Sequence, residues 1–168
     1  MKYLAKYVNR KVLDQSYKLY IRPYLDYGDI IYHGQLTDMM KCVESVQYQA
    51  AIIVSGCIKG TSRVELYKEL GWESLHDRRV YHRLLLYYKI RNHETPTYLN
   101  DYIKALPEIR TQRFEKSFFP FCQSAWQSLS DDLKNAHSIG ILKTNISTIF
   151  APLNVTHLIY ETKEGYDY

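Results

Sequence analysis

Apolar positions recur along most of this chain at steps of three and four, the spacing that keeps side chains on one face of an α-helix. Leu4, Val8, Leu13, Tyr17, Tyr20 and Ile21 follow that rhythm and predict a first helix that stops before Pro23. Tyr24 to Tyr32 forms a short aromatic segment, punctuated by Gly28 and closed near Gly34. The stripe Leu36, Met39, Val43, Val46, Ala50 and Ile53 predicts a long second helix, capped by Thr37 or Asp38 and ended by Gly56. Thr61 or Ser62 caps a short helix through Leu70, stopped by Gly71. The next helix runs from about residue 74 to 92, where Ser74 and Asp77 stand in a Ser-x-x-Asp variant of the capping box. Pro96, Pro107 and Pro120 mark a looser stretch containing a short helix over residues 98–105. Helices over residues 124–135 and 138–150 follow, and the last residues from 153 either pair as a hairpin or trail. The expected fold is all-α: a multi-helix, bundle-like region over residues 1–105, then a Pro-containing connector with two helices and an irregular tail over residues 106–168, as two parts or as one continuous domain.

Composition narrows the functional classes. With 168 residues, 46% of them hydrophobic, the chain can bury a core and is not expected to be disordered. No apolar run approaches the roughly 20 residues of a membrane span, so no membrane partner is expected. The start, Met1-Lys2-Tyr3-Leu4-Ala5-Lys6-Tyr7, has no apolar core of a secretory signal. Cys42, Cys57 and Cys122 form no C-x-x-C pair, and the six histidines lack metal-ligand spacing to them. These features point to a reduced intracellular setting, cytoplasm or nucleus, with no metal site, no disulfide framework and no cofactor. The sequons at Asn145 and Asn154 then read as chance matches.

The net charge of +4 hides an uneven distribution. Residues 1–35 carry six basic and three acidic side chains, residues 74–113 eight and four, and both flanking stretches are net acidic. On a helix over residues 74–92, Val80, Tyr81, Leu84, Leu85, Tyr87 and Tyr88 share one sector. Arg78, Arg79, His82, Arg83 and Lys89 fall on the other, a face that could follow a phosphate backbone or simply be solvated. Tyrosine is the compositional outlier, at 17 residues. Tyr17, Tyr20, Tyr24, Tyr27 and Tyr32, interleaved with Lys18 and Arg22, could stack bases, yet their helical spacing favours a core role for most of them.

No catalytic constellation emerges. There is no phosphate-binding glycine loop and no nucleophile elbow, and His76 and Asp77, being adjacent, cannot face one another on a helix. Asp131-Asp132 lies in an amphipathic segment and reads as helix N-terminal charge, not as a rigid two-metal site.

An ordered series of landmarks nevertheless resembles a known family. It comprises Ile21-Arg22-Pro23-Tyr24-Leu25-Asp26-Tyr27-Gly28-Asp29-Ile30-Ile31-Tyr32, Val43-Glu44-Ser45-Val46-Gln47-Tyr48-Gln49-Ala50-Ala51 and Ile58-Lys59-Gly60-Thr61-Ser62. Leu66-Tyr67-Lys68-Glu69-Leu70-Gly71-Trp72-Glu73-Ser74-Leu75, Arg78-Arg79, Pro96-Thr97-Tyr98-Leu99, Ser117-Phe118-Phe119-Pro120-Phe121, Trp126 and Ser138-Ile139-Gly140 complete it. Over residues 10–150 this resembles the region just C-terminal to the palm in reverse transcriptases of non-LTR (LINE-type) retrotransposons. The family's catalytic aspartates lie upstream, in a Phe/Tyr-Ala-Asp-Asp motif that these residues lack, and its Cys/His knuckle is also missing. The stretch from Leu106 to Phe114 is shorter than in the family.

The resemblance implies a helical thumb and connector of an RNA-directed DNA polymerase, non-catalytic alone, that grips a template–primer duplex of RNA or DNA beside the rest of the polymerase. Arg78, Arg79, Arg83, Lys89 and Arg22 are then the expected nucleic-acid contacts. The rival expectation is a helical protein-interaction or structural module, left from a decayed element, without a nucleic-acid role.

Overall fold

The structure is a computed structural model that describes residues 1–32, 37–105, 111–129 and 134, the side chains of 32, 37, 38, 112 and 113 excepted. Helices dominate these residues, and no strand occurs among them, so the fold is all-α. The first predicted helix is broken into parts. A 3-10 turn at Leu4–Lys6 precedes α1 (Arg10–Ser16), a π-helical segment at Tyr17–Ile21 and α2 (Arg22–Asp26). The chain does not stop before Pro23. Proline lacks an N–H and clashes with the carbonyl four residues back, which forbids a regular turn there. The π segment removes the conflict by widening the turn, and the Arg22 N–H bonds the Tyr17 carbonyl, five residues back. Helix α3 (Asp29–Tyr32) follows Gly28, whose φ of 68° makes the bend.

Helix α4 (Thr37–Ser55) has the predicted extent and ends before Gly56, at φ 76°. Its buried face is not the predicted one. Met39 and Val46 are exposed, whereas Glu44, Gln47, Ala50, Ala51 and Val54 point inward. The polar pair is inside because the core it meets is built from tyrosines. Tyr17 donates its hydroxyl to Gln47 Oε1 at 2.6 Å, and Tyr67 donates to Glu44 Oε1 at 3.0 Å. A buried phenol must find an acceptor, and these side chains supply one. Leu13, Tyr17, Ala50, Ala51, Val54, Leu66, Tyr67 and Trp72 form one core cluster joining α1, α4 and α5 (Arg63–Leu70). At its centre the rings of Tyr17 and Trp72 stack at 4.1 Å with 17° between planes, and Trp72 Nε1 donates to Asp14 Oδ1 at 2.7 Å.

Gly71 ends α5 in the left-handed conformation, φ 62°, and the Trp72 N–H returns to the Tyr67 carbonyl at 2.9 Å, a Schellman closure that aims Trp72 into the core. Helix α6 (Leu75–Arg91) begins as predicted: the Asp77 N–H donates to Ser74 Oγ at 3.0 Å, and the Ser74 hydroxyl donates to the Asp77 carboxylate at 2.6 Å. Helix α7 (Thr97–Lys104) is also where the pattern put it. Helices α8 (Gln112–Glu115) and α9 (Phe118–Gln127) were not anticipated there. Helix α9 starts ahead of the predicted residue 124 because Pro120 sits in its first turn, where a missing N–H costs nothing.

The chain divides into two compact units, Met1–Ala125 and Trp126–Tyr168, and the expected boundary at 105/106 falls inside the first. The predicted helix over 138–150, the tail from 153, Asp131-Asp132, both sequons, most of the shortened 106–114 stretch and the end of the helix expected over 124–135 lie outside the described residues. Among the described residues no helix is long and apolar enough to cross a membrane.

Candidate nucleic-acid interface

Helix α6 supplies four of the five expected contact residues, and its start is fixed from two directions. The Ser74–Asp77 box closes the first turn, and the Leu75 N–H donates to Glu44 Oε2 at 3.2 Å. A carboxylate at a helix N-terminus meets both an orphan donor and the positive end of the dipole. Burial nevertheless pushes the Glu44 carboxyl above its ordinary value, against the lowering effects of Tyr67, Arg79 and the Leu75 amide.

The basic residues do not form one solvated face. Arg78 grips Asp26 with two donors, Nε to Oδ1 at 3.2 Å and Nη2 to Oδ2 at 2.6 Å, and reaches Glu73 at 3.5 Å. Burial works against its charge, but Asp26 outweighs this and holds the guanidinium more firmly protonated. Arg79 is 2% exposed, and its charge acts on the Glu44 carboxylate and on His76. Arg83 is wholly buried. Its Nη2 donates to the Lys116 carbonyl at 3.2 Å, and its Cζ lies 4.5 Å from the centre of the Phe121 ring and 5.7 Å from that of Phe118. The Cys122 thiol is its other polar neighbour, pushed up to about 12 by burial in spite of the cation. Burial in turn lowers the Arg83 value.

The division of α6 into an apolar and a cationic face is therefore corrected. Leu75, Arg79, Arg83, Tyr87 and Ile90 make one buried stripe, and Val80, Leu84 and Tyr88 another. The reason is geometric. Helix α6 has neighbours on more than one side, α3 and α4 among them, and the long arginine stems fill space as aliphatic chains do.

Lys89 is half-buried in a groove lined also by Ile30, His82, Leu85 and Leu86. His82 Nδ1 there meets the buried carboxylate of Asp29 at 2.5 Å. Arg22 is half-buried too, close enough for its charge to help hold Asp14 low. Thus the five expected residues are brought to one helix and its neighbour, and of the five Lys89 and Arg22 retain partial access to solvent with no carboxylate bonded to them among the described residues.

The surface that does combine exposed cations and rings is the N-terminal segment. Lys2, Lys6 and Lys11 are exposed, with no carboxylate bonded to them among the described residues. Each of the three carboxylates between residues 1 and 32 is engaged: Asp14 by Lys18 and Trp72, Asp26 by Arg78, and Asp29 by His82. Tyr3, Tyr7, Tyr20, Tyr24 and Tyr27 stand out from the surface at 72–85% exposure. The expectation that the tyrosines mostly pack between helices is thus corrected: in the series from Tyr17 to Tyr27 only Tyr17 is core, and the side chain of Tyr32 lies outside the described residues. The charge excess of residues 1–35 was visible in the sequence; that its acidic members turn inward was not, because their partners lie up to 58 positions away.

No group of three or more His, Cys, Asp or Glu side chains placed to hold a metal ion occurs among the described residues. Compared with known proteins, the chain matches no family model, and neither a curated protein nor a solved structure is significantly similar to it.

Proposed function

We propose that this chain is a nucleic-acid-binding helical region of a retrotransposon-type RNA-directed DNA polymerase, acting by gripping a template–primer duplex and not by catalysis. The assignment to that polymerase rests on the ordered landmarks from Ile21 to Gly140. The binding role rests on one observation: every carboxylate of residues 1–32 is consumed by an internal partner, while Lys2, Lys6 and Lys11 are exposed with no carboxylate bonded to them among the described residues. A phosphate backbone is the natural ligand of such a surface, because each contact releases condensed counterions. Lys89 and Arg22 add charge from the neighbouring helices, whereas Arg78, Arg79 and Arg83 serve the fold. Fluorescence anisotropy with an RNA–DNA hybrid across a salt series tests the reading. Affinity that falls steeply and log-linearly with salt supports it, and no binding at low salt rejects it.

A second reading, a protein-interaction module without a nucleic-acid role, has its own support in apolar side chains left outside: Ile31, Ile58 and Val64 are 77–83% exposed. A saturable protein partner that leaves hybrid binding at zero would favour it.

A further inference from the structure

The five exposed tyrosines of the N-terminal segment are not explained by the fold, since none of these rings joins the core cluster. Tyr20 lies in the π-helical segment, Tyr24 in α2, and Tyr27 is the C-cap residue where the backbone leaves α2 in an extended conformation, φ −65° and ψ 121°, so three exposed rings fall within eight residues of chain. The π segment sets this arrangement: it lets the chain continue through Pro23 while Tyr17 stays in the core against Trp72. The other two rings, Tyr3 and Tyr7, each follow a lysine directly, Lys2 and Lys6, and all four side chains are exposed.

We propose that the exposed rings of Tyr20, Tyr24 and Tyr27 are a stacking platform for the bases of a single-stranded nucleic acid, whose phosphates are drawn to the lysines of the same N-terminal segment. The inference rests on the nucleic-acid reading above and adds the class of ligand: unpaired bases, not the duplex alone. Exposed aromatic rings on a segment whose Lys2, Lys6 and Lys11 have no carboxylate bonded to them among the described residues suit a polyanion that carries a π-face at every residue. A duplex offers no such faces along its sides. An apolar protein surface would match the rings but not the cations, and the engaged state of Asp14, Asp26 and Asp29 leaves the segment's outward charge positive.

The test is anisotropy of a labelled oligothymidylate of roughly 20 nucleotides, longer than a single site of this kind, against the full chain, with the hybrid duplex run in parallel. Tyr20→Ala, Tyr24→Ala and Tyr27→Ala combined is expected to weaken single-strand binding by about 100-fold or more, since each stacked base contributes about tenfold. The corresponding Phe variants should retain it, because stacking needs the ring and not the hydroxyl. Circular dichroism and sedimentation of each variant report fold and self-association. If the alanine variant is folded and binds the single strand within about twofold of the parent, a change too small for even one lost ring, the platform is overturned while the duplex reading stands. If the parent binds neither probe, both fall. Self-association that the alanine variant abolishes, with single-strand binding unchanged, would assign the rings to a second copy instead.

Discussion

Arg83 is a guanidinium withdrawn from water with a carbonyl, a thiol and two rings around it, and no carboxylate bonded to it among the described residues. Desolvating such a charge is expensive, and a flat polarisable surround returns only part of the cost. Arg83→Met, which keeps the aliphatic length and drops the charge, is therefore expected to leave the thermal midpoint unchanged or raise it. Arg83→Ala should lower stability by about 2–4 kcal/mol through the cavity it opens. Differential scanning calorimetry of the two variants decides the point. Glu44 makes a related prediction with a pH axis. Burial holds its folded-state value above the ordinary one for a glutamate, so the carboxylate form weighs against the fold. Stability from this group is fully present below the ordinary value and is lost as pH rises through the raised one. The stability of wild type relative to Glu44→Gln should accordingly grow as pH falls from 7 through the raised value towards the ordinary carboxylate range, as read by urea unfolding along a pH series. Asp14 acts in the opposite sense, because Lys18 and Trp72 outweigh its burial and hold it low. Its contribution fades as pH falls through the lowered value, and Asp14→Asn should remove that acid sensitivity.

The elements show which features local sequence carries and which it does not. The start of α6 was legible because Ser74 and Asp77 settle it between themselves, and the ends of α4 and α5 because Gly56 and Gly71 take positive φ. Gly71→Ala is expected to cost about 1–2 kcal/mol in denaturant unfolding from backbone strain alone, since an added Cβ there meets no atom within 4 Å. Trp72→Ala should cost about 3–5 kcal/mol by the same measurement, for it removes the Tyr17 stack and leaves Asp14 without its indole donor. The faces of α4 and α6 were not legible. Hydrophobic periodicity assumes that inward means apolar, yet Glu44 and Gln47 are inward because tyrosine hydroxyls require acceptors, and Arg79 and Arg83 because long stems fill gaps between helices. A tyrosine-rich core thus blurs the pattern that would locate it. The continuation through Pro23 was missed for a different reason, a π turn having no marker in local propensity.

At the scale of the whole molecule, charge is sorted by pairing across long sequence separations. The +3 of residues 1–35 becomes a cationic outer surface because Asp14, Asp26 and Asp29 are bound to Trp72, Arg78 and His82. Of the charge on α6, conspicuous in the sequence, Arg79 and Arg83 are buried and Arg78 is bonded to Asp26, while Lys89 and Arg91 at its end keep access to solvent. The resemblance pointed to the Arg78–Arg79 helix as the contact, whereas the nucleic-acid reading proposed above takes the exposed Lys2, Lys6 and Lys11 as its contacts, because Arg79 and Arg83 are buried and Arg78 is bonded to Asp26. The most direct test is the salt dependence of hybrid-duplex binding for three proteins: wild type, Lys2→Ala/Lys6→Ala/Lys11→Ala and Arg83→Met. The lysine variant is expected to bind more weakly and to lose about one unit of log–log salt slope per phosphate contact removed, with Arg83→Met indistinguishable from wild type. An unchanged slope in the lysine variant, with binding lost in a folded Arg83→Met, would contradict the account.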